Sequence, residues 1–116
     1  MRTYLVDSSV FVGILREEEK AKDLYESLEG KITTSAVCVA ELYEGIFRSK
    51  RWAQSEKSFL ELLSTLDEIV PFGIKEAKRF GDLKVKFKQK PIPDLDVQIA
   101  ATCIEHQMIL VTYDTG

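Results

Sequence analysis

The sequence predicts an α/β domain, a parallel sheet of about four strands between helical layers, and three observations lead there. Short apolar runs recur at Tyr4-Leu5-Val6, around Ile32, at Ile69-Val70 and from Ile109 to Thr112, and short apolar runs bounded by turn signals read as buried strands. Longer stretches with apolar residues at helical spacing separate these runs, and strand–helix–strand alternation builds a parallel sheet. The chain has 116 residues, enough for one hydrophobic core and one domain, residues 1–116.

The first strand stops at Asp7, and Ser8 and Ser9 follow it. An Asp before two serines reads as a helix cap, so a helix is expected from about Ser8 to Arg16. After the polar break at Glu17-Glu18-Glu19-Lys20, Ala21, Leu24, Tyr25 and Leu28 fall at i, i+3, i+4 and i+7, which predicts a helix to Glu29 closed by Gly30. Lys31 to Thr34 is a second strand. Ser35 caps a third helix, whose apolar stripe is Cys38, Val39, Leu42, Gly45 and Ile46. Glu41 borders that stripe, and Arg48, Lys50 and Arg51 suit the negative end of the helix dipole.

A fourth helix is expected from about Trp52 to Leu66, with Phe59, Leu62, Leu63 and Leu66 on its buried face. A third strand covers Ile69-Val70-Pro71-Phe72. Gly73 opens a turn into a fifth helix reaching about Gln89, with Ile74, Ala77, Phe80 and Phe87 inward. Lys84, Lys86, Lys88 and Lys90 alternate with Val85 and Phe87 at strand spacing. No hairpin turn accompanies them, so they read as an exposed helical surface. Lys90-Pro91-Ile92-Pro93 is a stiff connector. Asp94-Leu95-Asp96 opens a sixth helix, with Asp96, Ile99, Ala100 and Cys103 on one face, and Ile109 to Thr112 is the fourth strand.

Composition narrows the function. The net charge is −3, which argues against a protein that coats nucleic acid without specificity and leaves room for a local basic rim. No apolar run approaches the ~20 residues of a membrane span. The N-terminus leads straight into a strand, so cytoplasm is the expected location. Cys38 and Cys103 lie inside helices among apolar neighbours and read as buried hydrophobes. His106 sits at a helix end, where it suits the dipole, and takes no catalytic role.

The carboxylates carry the chemistry. Asp7 and Asp114 follow the first and fourth strands, at the C-terminal edge where open α/β sheets bind ligands. Asp96 lies in the first turn of the helix leading into the fourth strand, and crossover helices begin at that same edge. Glu41 is two turns into the helix after the second strand, and its long side chain leans back toward that helix's N-terminus. Each acid has a plain alternative. Asp7, Asp94 and Asp96 suit helix caps, worth about 1 kcal/mol each. Asp114 before Thr115-Gly116 suits a turn, and Glu41 suits an amphipathic border. Convergence of four on one edge favours a site. Clustered carboxylates repel and are tolerated around a cation, and all-oxygen ligands select Mg²⁺ or Mn²⁺.

Four segments, Asp7-Ser8-Ser9, Ala40-Glu41-Leu42-Tyr43-Glu44-Gly45, Pro93-Asp94-Leu95-Asp96-Val97-Gln98-Ile99-Ala100 and Val111-Thr112-Tyr113-Asp114, resemble the PIN domain, and more narrowly the VapC toxins of type II toxin–antitoxin systems. The resemblance runs along nearly the whole chain and implies a three-layer α/β/α fold and a metal-dependent ribonuclease. By motif matching, Asp7, Glu41, Asp96 and Asp114 take the acidic positions that hold metal and catalyse. Ser9 and Thr112 match the small polar residues that support them, and Asp94 is an extra supporting acid. The family places a further strand after the Asp114 position, and this chain ends at Gly116.

The resemblance also implies a VapB-like antitoxin, whose expected bed is the apolar surface near Tyr43, Phe47 and Trp52, and a homodimer. Hydrolysis of RNA by metal-activated water needs no side-chain nucleophile, and Ser8 and Ser9 lack a histidine base. Arg48, Lys50, Arg51 and the lysines from Lys84 to Lys90 are candidates for holding the RNA backbone. Two alternatives stand beside this reading. One is an inactive PIN-like interaction domain. The other is a phospho-receiver domain, which needs an acidic pair after the first strand and an Asp after the third, where Phe72-Gly73 stands.

Overall fold

The computed structural model describes residues 1–114; the turn expected at Thr115-Gly116 lies outside them. The order is β1 (Thr3–Val6), α1 (Ser8–Leu15), α2 (Glu19–Glu26), β2 (Lys31–Ser35), α3 (Ala36–Arg48), α4 (Trp52–Leu63), β3 (Glu68–Val70), α5 (Ile74–Lys86), α6 (Asp94–His106) and β4 (Ile109–Val111). The sheet runs β3-β2-β1-β4, and every pairing is parallel, with Leu5 opposite Thr33 on one side and Leu110 on the other.

The topology follows from handedness. The connections β1 to β2 and β2 to β3 step outward in one direction. The chain then returns past two strands to place β4 beyond β1. Right-handed crossovers in opposite directions cover opposite sheet faces. Side chains of β1 accordingly alternate between two cores. Tyr4 and Val6 join Val10, Phe11, Leu42, Ile46 and Phe59 on the α1–α4 side, while Leu5 joins Cys38, Ile99 and Cys103 on the α6 side. Phe11, Phe59 and Leu5 are fully buried. The buried hydroxyls of Thr33 and Thr34 donate to the carbonyls of Tyr4 and Val6, each at 2.7 Å, so central β2 carries polar side chains without orphaned groups.

Several expectations are corrected, among them the end of α4, which falls at Leu63 and not Leu66, and β3, which is Glu68–Val70 and does not include Pro71 or Phe72. The second helix ends at Glu26, short of Glu29, and Gly30 does not close it. Gly30 sits at φ +150°, where an added Cβ would lie 2.3 Å from the Arg2 carbonyl oxygen, so it admits the chain to β2 beside β1. The inward face of α5 also differs. Ile74 is 86 % exposed, Phe87 50 % exposed, and Ala77 exposed, whereas Glu76 is only 5 % exposed. α5 packs on α6 through polar pairs. Glu76 Oε2 meets His106 Nε2 at 2.6 Å, Glu76 Oε1 accepts from the Gly73 N–H at 2.7 Å, and Arg79 Nε donates to Glu105 at 3.1 Å. Apolar residues therefore point out of α5, and polar pairs point in, with Glu76 the buried member. α5 also stops at Lys86 instead of Gln89.

The strand order separates this fold from the receiver alternative, whose doubly wound sheet runs 2-1-3-4-5. Among the described residues, no helix is long and apolar enough to cross a membrane.

Candidate active site

The strand order reverses between β1 and β4, one of which starts the outward series while the other closes the return. Such a switch point opens a crevice at the carboxyl ends of the strands. Asp7 stands there, immediately after β1, as the N-cap of α1. Its backbone N–H donates to the Val111 carbonyl at 3.0 Å, which fastens the β1 exit to β4.

Ser9 builds the next layer. Its backbone N–H donates to Asp7 Oδ1 at 3.0 Å, and its hydroxyl donates to the same oxygen. The same hydroxyl accepts the Tyr113 backbone N–H at 2.8 Å and lies 3.2 Å from Thr112 Oγ1. One side chain thus ties the Asp7 carboxylate to the segment leading from β4 to Asp114. Two donors on Oδ1 fix the orientation of the carboxylate.

Ser8 does the same toward α3, where its hydroxyl donates to Glu41 Oε1. The Ser35 hydroxyl starts that helix by accepting the Cys38 N–H at 3.0 Å. Glu41 is exposed on the ridge between two grooves. One groove lies between α1 and α3 and includes Ser8, Val12 and Gly45. The other lies between α3 and α6 and includes Leu95 and Gln98. Those two residues flank Asp96, so Glu41 looks across a groove at the first turn of α6. Asp94 and Asp96 are both in that turn and both exposed. Asp94 accepts from Lys84 Nζ at 2.7 Å.

The four acids expected from sequence therefore stand on elements meeting at one sheet edge: Asp7 after β1, Glu41 on α3 after β2, Asp96 at the start of α6, and Asp114 after β4. Hydrogen bonds join Asp7 to the β4 exit, and the neighbouring Ser8 to Glu41. Asp96 shares the edge without such a bond. Among the described residues, no three acidic, histidine or cysteine side chains close around a metal-sized point. In chemistry the donor set fits a hard divalent cation, because the softer ligands are engaged elsewhere. His106 pairs with Glu76 between α5 and α6. Cys38 and Cys103 are buried and free. Burial pushes both thiols up, Cys103 to about 11, and the nearby Asp7 charge pushes each in the same direction.

Sequence reasoning missed the roles of Ser8 and of the Tyr113 N–H. Two consecutive serines after a cap residue were the visible signal. Their different partners were not visible, because Glu41 lies 33 residues from Ser8 and Tyr113 lies 104 from Ser9.

The chain belongs to the PIN domain family, whose match covers residues 4–116. Among characterised relatives it is similar to Ribonuclease VapC1 of Rickettsia felis, 31 % identical over 93 % of this chain and 82 % of that protein. It is also similar to Ribonuclease VapC2 of Haemophilus influenzae, 27 % identical over 97 % of this chain and 86 % of the relative. Among solved structures it superposes on VapBC2 of Rickettsia felis bound to a fragment of promoter DNA, with a TM-score of 0.86 at 26 % identity, covering 97 % of this chain and 88 % of that one. FitAcB of Neisseria gonorrhoeae gives a TM-score of 0.80 at 27 % identity, over 97 % of this chain and 88 % of the other.

Proposed function

We propose that this chain is a metal-dependent ribonuclease, the toxin of a VapBC-type toxin–antitoxin pair. The observation that carries the reading is the Asp7 turn at the switch point. One serine there holds the Asp7 carboxylate to the β4 exit, and the other reaches Glu41. Similarity to proteins named ribonuclease VapC supports RNA as the substrate.

Asp7, Glu41, Asp96 and Asp114 would hold Mg²⁺ or Mn²⁺. When bound, such an ion lowers the pKa of a coordinated water and neutralises charge developing on the phosphate. The protein's own groups orient. Ser9 fixes Asp7, Ser8 holds Glu41, and Thr112 supports Ser9. Neither serine has a histidine base, since His106 is taken by Glu76, and hydrolysis by metal-activated water needs no side-chain nucleophile. Arg48, Lys50 and Arg51 are candidates for the RNA backbone at the end of α3.

The test is cleavage of single-stranded RNA with Mg²⁺, Mn²⁺ or chelator, using Asp7→Asn and Asp96→Asn as controls. Each variant should lose cleavage. In chelator Asp96→Asn should be as stable as the parent or slightly more so, because like charges no longer repel, whereas Asp7→Asn still caps α1 but gives up the charge on the acceptor of both Ser9 bonds and should be slightly less stable. Added metal should raise the parent's melting temperature more than theirs. A parent that cuts no RNA and shows no metal-dependent shift would favour an inactive interaction domain.

Solved relatives that are toxin–antitoxin complexes support a small VapB-like partner. Phe47 is 60 % exposed and Trp52 47 % exposed, and their rings form a continuous ledge with Tyr43, the bed proposed for that partner. Exposed Ile74 and Val85 on α5 support a homodimer, which light scattering at micromolar concentration would detect. Co-purification from the source cell tests the antitoxin, and a Phe47→Ser variant should weaken that association.

A further inference from the structure

Beyond the acidic edge, we propose that the groove at the corner between α5 and α6 is a subsite for single-stranded RNA flanking the scissile phosphate, with one base against Phe87 and phosphates on Lys88 and Lys90. The proposal rests on the ribonuclease reading. The groove holds about 260 Å³ between the end of α5 and the start of α6, lined by Leu83, Lys84, Phe87, Lys88, Lys90 and Ile92 among others. Ligand sites begin near 300 Å³, so this one suits a single base. Val97 also lines it, one residue beyond Asp96, so a strand seated here lies beside the first turn of α6.

The chemistry of the walls selects the occupant. Phe87 ends α5 as its C-cap and is half exposed, an aromatic face without a ring partner among the described residues. Bases of any identity stack on such a face. From Lys84 to Lys90 every charge is positive and no acid intervenes. Lys84 is bound to Asp94, and Lys86 to Asp82 at 3.0 Å. Lys88 and Lys90 have no carboxylate partner among the described residues. In a chain of net charge −3, two unpaired cations beside an open aromatic ring complement an anionic polymer with stackable bases better than an acidic or apolar peptide. The Lys84–Asp94 pair fastens α5 to the first turn of α6, which fixes the groove relative to Asp96. Pro91 lines the groove and stiffens that wall.

The experiment measures fluorescence anisotropy of a dye-labelled oligouridine RNA with the full chain in chelator, over a salt series. Phe87→Leu keeps apolar bulk and loses the ring, and should weaken binding about tenfold; Phe87→Tyr should bind like the parent. The double variant Lys88→Ala/Lys90→Ala should reduce the slope of log affinity against log salt by about 1.4, near 0.7 per lost phosphate contact. If the parent binds and cuts RNA while Phe87→Leu and the double variant match it in affinity and slope, the subsite is wrong and the ribonuclease reading stands. If the parent neither binds nor cuts, both fall. Light scattering in which Phe87→Leu converts a dimer to a monomer would assign the groove to a second copy and overturn the proposal.

Discussion

Replacing Ser9 with Ala removes one hydroxyl that serves three neighbours. It donates to Asp7, accepts the Tyr113 N–H at 2.8 Å, and lies 3.2 Å from Thr112 Oγ1. A hydrogen bond to a charged acceptor contributes about 1.5–3 kcal/mol, and a donor left unsatisfied in a buried place costs about 1–3 kcal/mol. The site is only partly buried, so water replaces part of what is lost, and a net destabilisation of about 1–3 kcal/mol is expected. Asp7 keeps the Ser9 backbone N–H at 3.0 Å, so the α1 cap survives and the fold should remain intact. Urea denaturation should show a lower midpoint with an unchanged slope, the mark of altered stability without altered compactness. RNA cleavage should fall more than stability explains, because Asp7 and the segment carrying Asp114 lose their common anchor. Ser9→Thr, which retains a hydroxyl, should recover part of both. A Ser9→Ala protein within about 0.5 kcal/mol of the parent, the range of an ordinary surface change, and with parental cleavage would refute the anchoring role.

Gly13→Ala places a methyl 2.6 Å from Ala21 Cβ and 2.9 Å from Tyr113 Cε2. Overpacking of this kind should cost about 1–3 kcal/mol, read by thermal melting, and reduce cleavage by displacing Tyr113. Phe11→Ala, at a fully buried ring packed on Tyr25 and Phe59, should lose about 3–5 kcal/mol in the same melts. Glu76 gives a pH signature. Burial pushes its carboxyl up, but the Gly73 N–H and His106 outweigh that and hold it below its ordinary 4.5. A carboxyl lowered in the folded state stabilises above its ordinary value, and the contribution is lost as pH falls through the folded value. The parent should therefore weaken as pH drops below about 4.5. Glu76→Gln should be less stable at pH 7 by about 1–3 kcal/mol and show a flatter acid limb, and identical acid limbs would remove Glu76 from the account.

The fold class, the starts of the elements and the edge to which the acids are carried were all legible in the order of residues. Those are local properties. Apolar runs bounded by polar turns mark strands, although the edge strands β3 and β4 leave Ile69, Ile109 and Leu110 exposed; Asp7 and Ser35 cap the helices they precede, and parallel connectivity sends the ends of β1 and β4 and the start of α6 to the same side. Which faces meet was set by long-range packing. Helical periodicity identifies residues that share a face of α5, but the neighbour decides which face turns inward. α6 offered His106 and Glu105, so Glu76 and Arg79 went in while Ile74, Ala77 and Phe87 stayed out. The strand order β3-β2-β1-β4, which puts the switch point beside Asp7, likewise depends on where the β3–β4 crossover lands. The division of labour between Ser8 and Ser9 was also out of reach of pattern. Adjacent residues on a helix point about 100° apart, and what each one meets is brought there by chain dozens of residues away.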